Sequence, residues 1–139
     1  MKTRVAVDSN LLVYAVETTS PKHAAAKEFL GNLVEANLAF LSTQNLAEFS
    51  RVVTEKLPRP LSAEQADEAI ASFVEVFSVV RYDVPAVRLA LKHAQTGHTH
   101  FFDALLAATM MENGIDTIYT ENTEDFQKIP GIKAVNPFA

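Results

Sequence analysis

Asp8, Glu48, Asp103 and Asp125 lie far apart in the chain but share one kind of position. Asp8 ends the apolar run Val5-Ala6-Val7, too short for a helix and rich in β-branched residues that suit a strand. Glu48 falls in the first turns of the helix expected after a second strand, Ala39-Phe40-Leu41. Asp103 falls in the first turn of a helix, just after Phe101-Phe102, and Asp125 in a polar loop after a fourth strand, just before Phe126. Strand C-termini and helix N-termini gather on one edge of a parallel α/β layer, so the four acids are expected at one place. Carboxylates held close together cannot all stay ionised without a counter-charge. Protons or a hard divalent cation must supply it, and Mg²⁺ and Mn²⁺ prefer oxygen ligands. Two such ions about 4 Å apart can activate a water and stabilise a leaving oxygen in phosphodiester cleavage.

Each acid also has a plainer reading. An Asp in a first helical turn complements the macrodipole, worth about 0.3–1 kcal/mol. Glu48 can pair weakly with Arg51 three residues on. Asp125 can be a loop or capping residue. Asp8 is the least ordinary, because it follows directly on a buried strand. The set therefore carries more than its members. Arg51, Lys56 and Arg59 form a basic string after Glu48, either a solvated helix end or a phosphate contact beside the acids. Phe101 and Phe102 suit core packing or the stacking of nucleobases. His98 and His100 precede Asp103 but fall short of the three or four nitrogen or sulfur ligands of a zinc site.

The elements that must position these groups are short strands alternating with helices. A helix is expected from the end of Val5–Val7 to Val16, and a second from Ser20-Pro21, a capping hydroxyl before a proline, to Ala36. Ser42-Thr43 caps a third, Gln44 to Lys56. Pro58-Arg59-Pro60 interrupts the chain, and Ser62 with Gln65 makes a capping box for Ala63 to Val76. Val79-Val80 reads as a strand. Asp83 caps a helix to Thr96, with Gly97 as its terminator. Phe102 to Asn113 is helical, Thr117-Ile118-Tyr119 and Lys133-Ala134-Val135 are strands, and Phe126 to Lys128 makes a helical turn. This alternation predicts a single α/β domain over residues 1–139, a short, mostly parallel sheet covered by helices on both faces.

Composition narrows the classes. With 48% hydrophobic residues the chain can bury a real core, and no apolar run approaches the roughly 20 residues of a membrane span. There is no secretory signal of the usual kind and no cysteine, so oxygen and imidazole are the available ligands and the cytoplasm is the expected compartment. A net charge of −5 argues mildly against nucleic acid, an objection that bound cations near the acids weaken. No glycine-rich phosphate loop follows the first strand, which argues against a doubly wound nucleotide-binding domain.

Val7-Asp8-Ser9-Asn10, Gln44 to Phe49 (QNLAEF), Phe101 to Ala108 (FFDALLAA) and Tyr119 to Phe126 (YTENTEDF) resemble, in order and spacing, the four motifs of PIN-domain ribonucleases. The resemblance covers nearly the whole chain and is nearest to VapC-type toxins of prokaryotic toxin–antitoxin pairs. It implies a PIN-like α/β/α fold, Mg²⁺- or Mn²⁺-dependent endonucleolytic cleavage of RNA, a cognate antitoxin and a homodimer. Asp8, Glu48 and Asp103 match the three characteristic acids. Many relatives place a fourth Asp where this chain has Asn122, with the acid here displaced to Asp125. The resemblance then makes Asp125 an outer or water-mediated ligand and Asn122 a polar neighbour, with Ser9 and Thr120 as hydrogen-bond partners of the ligating carboxylates. In the implied hydrolysis Asp8 and Asp103 hold the first cation, Glu48 and Asp125 help hold a second, and water attacks phosphorus in line. Two alternatives remain: a PIN nuclease of RNA processing without an antitoxin, and a degenerate module that only binds.

Overall fold

The computed structural model describes residues 4–139. Among them five strands, β1 (Val5–Val7), β2 (Ala39–Ser42), β3 (Ser78–Val80), β4 (Thr117–Tyr119) and β5 (Lys133–Val135), form one sheet in the order β3-β2-β1-β4-β5. Every pairing is parallel, so the sheet is wholly rather than mostly so. The register aligns Val5 with Ala39 on one side and with Thr117 on the other. From β1 the chain steps outward through β2 to β3, then returns to β4 on β1's opposite flank. The β1/β4 boundary is therefore the topological switch point, where ligands bind in open parallel sheets.

The pleat divides the core. Val7, Ala39 and Leu41 face one cluster, with α1 (Ser9–Val16), α2 (His23–Ala36), α3 (Thr43–Glu55) and α4 (Ala63–Val76). Ala6 and Ile118 face the other, with α6 (Phe101–Glu112) and α7 (Thr123–Gln127). Alternate residues of one strand thus pack against different helical layers, as a period of two requires. α5 (Val84–Gly97) lies outside α6. This explains why Ala104 to Met110 is buried without a break: Leu106, Ala107 and Met110 meet the sheet layer, while Ala104, Leu105 and Ala108 pack with Ala86 and Ala90 of α5. A helix covered on both sides is apolar all round. No helix among the described residues is long and apolar enough to cross a membrane.

The strands and helices fall where the sequence predicts, with four differences. α2 begins at His23, not at Ser20-Pro21. The Ser20 hydroxyl accepts from the Lys22 N–H at 3.1 Å and its carbonyl from the His23 N–H at 3.1 Å, so these residues close a turn before the helix. Asp83 stands at the N-cap of α5 but its side chain accepts no capping bond. Gly97 is the last helical residue, and His98 takes the left-handed terminating position at φ 52°. A side chain at 97 would come within 2.9 Å of the Thr99 hydroxyl, which is why glycine suits it. Finally, α7 spans Thr123–Gln127 rather than beginning at Phe126, so Asp125 lies in its first turn rather than in a loop.

Candidate functional site

Asp8 terminates the central strand at the switch point and is 8% exposed. It is the N-cap of α1, its Oδ1 accepting from the Ser9 backbone N–H at 2.8 Å, so Ser9 serves it through the main chain. The segments that follow the two flanking strands supply the remaining donors. From the β4 end, the Thr120 hydroxyl donates to Asp8 Oδ2 at 2.8 Å. That hydroxyl also accepts from the Asn10 side-chain amide at 3.3 Å and the Asn122 backbone N–H at 2.9 Å, so its single proton is committed to Asp8. From the β2 end, Asn45 Nδ2 donates to Asp8 Oδ1 at 3.3 Å. The Asn45 Oδ1 is occupied as acceptor by the Ser42 N–H at 3.1 Å, which leaves only the amide nitrogen to face Asp8. A carboxylate offers about four acceptor sites, and these bonds use most of them. Burial pushes the Asp8 carboxyl above its ordinary range, opposed by Thr120 and Ser9.

α3 carries Glu48 toward this edge because its neighbour Phe49 is buried against Phe73, ring centroids 5.2 Å apart at 82°. Burying such a ring stabilises by about 1.5–3 kcal/mol, enough to set the rotation of the helix. Gln44, one turn earlier, donates from Nε2 to the Phe102 carbonyl at 2.8 Å, clamping α3 to the first turn of α6. Asp103 follows at once, and its Oδ2 accepts from Asn122 Nδ2 at 3.2 Å. Thr120 and Asn122 in the β4–α7 turn therefore hold Asp8 and Asp103 respectively.

The acids feel one another. Glu48 is raised to about 7, first by burial and then by the charges of Asp8 and Asp103. Asp103 is raised to about 6, by burial and then by Asp8 and Asp125, with His100 and Asn122 acting the other way. The ion pairs among the described residues are Lys22–Glu121 and Lys128–Asp125, so Asp8, Glu48 and Asp103 take part in none. Asp125 is thus half-committed to Lys128, at 3.4 Å, and acts on Asp103 only through its field. Arg51 does not pair with Glu48; with Ser9, Val52 and Lys56 both line a cleft of 220 Å³. Phe101 packs into the α5–α6 core, and Phe102 is 60% exposed.

The donor chemistry suits a hard cation, because Asp8, Glu48 and Asp103 are oxygen ligands that take part in no ion pair among the described residues. Among the described residues, however, no three histidine, aspartate or glutamate side chains stand close enough to form a ready-made centre. Uncompensated like charges have a physical reason to stay apart. Mg²⁺ in particular is held by one or two carboxylates together with waters and substrate phosphates, rather than by an all-protein cage.

Sequence reasoning missed Asn45, Asn10 and Gln44, which support the acids from within. For Asn45 a signal existed: Ser42 and Asn45 form a capping box, three residues apart like the better-known Ser/Glu form.

The chain matches the PIN domain over residues 5–132. It belongs to the PIN domain family. Within that family it is VapC-like: it is 32% identical over 140 residues to ribonuclease VapC37 of Mycobacterium tuberculosis, covering 94% of this chain and 95% of that protein. In structure it is similar to VapBC2 from Rickettsia felis bound to a DNA fragment from their promoter, with TM-score 0.71 and 18% identity over 96% of this chain and 98% of that one. It is similar also to a toxin–antitoxin complex from Klebsiella pneumoniae, with TM-score 0.68 and 19% identity over 96% and 97% of the two chains. At that identity the structural matches carry the fold.

Proposed function

We propose that this protein is a Mg²⁺- or Mn²⁺-dependent endoribonuclease and the toxin of a VapBC-type toxin–antitoxin pair, acting in the cytoplasm. The observation that carries the reading is the approach of buried Asp8 and half-buried Glu48 and Asp103, mutually repelling and in no ion pair among the described residues, at the switch point of a PIN fold. The name of its 32%-identical relative, a ribonuclease, supports RNA as substrate.

Asp8 and Asp103 are the residues that would hold the cation most directly, with Glu48 and Asp125 completing the acidic edge. When bound, the cation activates water and stabilises charge on the leaving oxygen. Asp8 is kept in one orientation by Ser9, Asn45 and Thr120, and Asp103 by Asn122. Arg51 contacts a backbone phosphate from the adjoining cleft, and Phe102 stacks a base. The new phosphorus–oxygen bond comes from water as the 3′ oxygen departs, so no side chain acts as nucleophile. An apolar cleft of 340 Å³ between α2 and α4, lined by Leu30, Val34, Phe73, Val76 and Phe77 among others, supports a cognate antitoxin segment as partner. A homodimer belongs to the same reading.

Inducible expression with and without the adjacent gene, followed by mapping of cellular RNA ends, tests this. New ends are expected only without the neighbour, and neither Asp8→Asn nor Asp103→Asn should produce them. Unchanged ends with the wild-type chain, or cleavage by both variants, would overturn the assignment.

A further inference from the structure

Glu121 lies between Thr120 and Asn122, the two residues that reach Asp8 and Asp103, and touches neither acid. It is held from other directions. The Tyr14 hydroxyl of α1 donates to its Oε1 at 2.5 Å. The Lys22 ammonium, just before α2, pairs with its Oε2. Lys22 also sits over the rings of Tyr14 and Phe138, 5.2 and 5.6 Å from their centroids. Those rings meet edge to face at 5.9 Å. Tyr14 and Lys22 thus close directly on one carboxylate in the β4–α7 turn, and Phe138 packs against both of them.

The cluster is an awkward way to gain stability. Lys22 and Glu121 are partly exposed, and such pairs contribute little to folding. What it does supply is orientation. The Thr120 N–H is tied to the Val135 carbonyl at 3.0 Å, which anchors the start of the turn to the sheet. Downstream, Asn122 is tied back to Thr120 through its own N–H at 2.9 Å. Glu121 is the intervening residue, and its side chain is held from outside the turn by Tyr14 and Lys22. A roll would withdraw the Thr120 hydroxyl from Asp8 or the Asn122 amide from Asp103.

We propose that Tyr14, Lys22 and Phe138 form a latch on Glu121, which makes Glu121 a positioning residue that aims Thr120 and Asn122 at the acids. The inference rests on the reading of Asp8 and Asp103 as cation-holding groups. Partners of ligating side chains typically carry about 10–100-fold in metal affinity. A latch one contact further out should carry less, about 3–10-fold.

The test uses the purified full chain as Lys22→Met, Lys22→Arg, Glu121→Gln and Asp8→Asn. Mn²⁺ affinity is measured by calorimetry, and side-chain amide resonances of the metal-free protein by NMR. Lys22→Met and Glu121→Gln are expected to weaken Mn²⁺ about 3–10-fold and to shift the Asn122 amide but not that of exposed Asn32, with melting little changed. Lys22→Arg should restore both. Unchanged Mn²⁺ affinity and an unmoved Asn122 amide, with Mn²⁺ binding lost in Asp8→Asn, would overturn the latch and leave the acidic site standing. Retained Mn²⁺ binding in Asp8→Asn would overturn the acidic site and the latch with it.

Discussion

Replacing Glu48 by Gln should stabilise the metal-free protein at alkaline pH while abolishing cleavage. The Glu48 carboxyl is raised from 4.5 to about 7, by burial and by the charges of Asp8 and Asp103. A carboxyl whose pKa rises on folding binds its proton more tightly in the folded chain. Between pH 4.5 and about 7 the folded state therefore holds more protons than the unfolded one, and stability falls as pH rises through that window. Above it the whole penalty is present; below it there is none. A rise of that size corresponds to about 3 kcal/mol if fully expressed. Glu48 is only half-buried, so solvent screening reduces this to about 1–2 kcal/mol. In a chain of this length each kcal/mol moves the melting temperature by roughly 4 °C. Glu48→Gln keeps the shape and removes the charge, so in EDTA at pH 8 it should melt about 4–8 °C above wild type. At pH 4 the two should melt together. Scanning calorimetry across that range is the assay. A variant that melts lower at pH 8, or gains equally at pH 4, would refute the idea that uncompensated charge is stored at this edge.

Thr120→Val keeps the volume but leaves Asp8, Asn10 and the Asn122 N–H without a shared partner, and should destabilise by about 1–3 kcal/mol in a denaturant titration. Phe102→Ala removes an exposed ring, so melting should barely move, yet affinity for labelled single-stranded RNA, measured by anisotropy with Ca²⁺, should fall about 5–100-fold if the ring stacks a base. Equal RNA affinity in that variant would remove Phe102 from the RNA-binding surface.

Signals that are local in sequence were legible. The Ser62/Gln65 capping box marks the start of α4 because both partners lie within one turn. The four acids could be placed at one edge because strand ends and helix starts share it in any parallel layer. The order of the strands could not be read, since three-residue strands carry no pairing information of their own. The start of α2 was misplaced because Ser20 and Pro21 suit a turn as well as a cap. The Tyr14–Glu121 contact spans 107 positions and leaves no periodicity to detect. Neither could the sequence choose between Asn122 and Asp125 as partner of the acids. The structure brings the Asn122 amide to Asp103 and turns Asp125 toward Lys128.

The most direct measurement is a crystal soaked or grown with Mn²⁺ and anomalous data collected at its absorption edge. The expected result is a peak about 2.0–2.2 Å from carboxylate oxygens of Asp8 and Asp103, lost in Asp8→Asn crystals. Density that leaves this edge empty at millimolar Mn²⁺, or that settles on acids elsewhere, would contradict a cation site built from Asp8, Glu48 and Asp103.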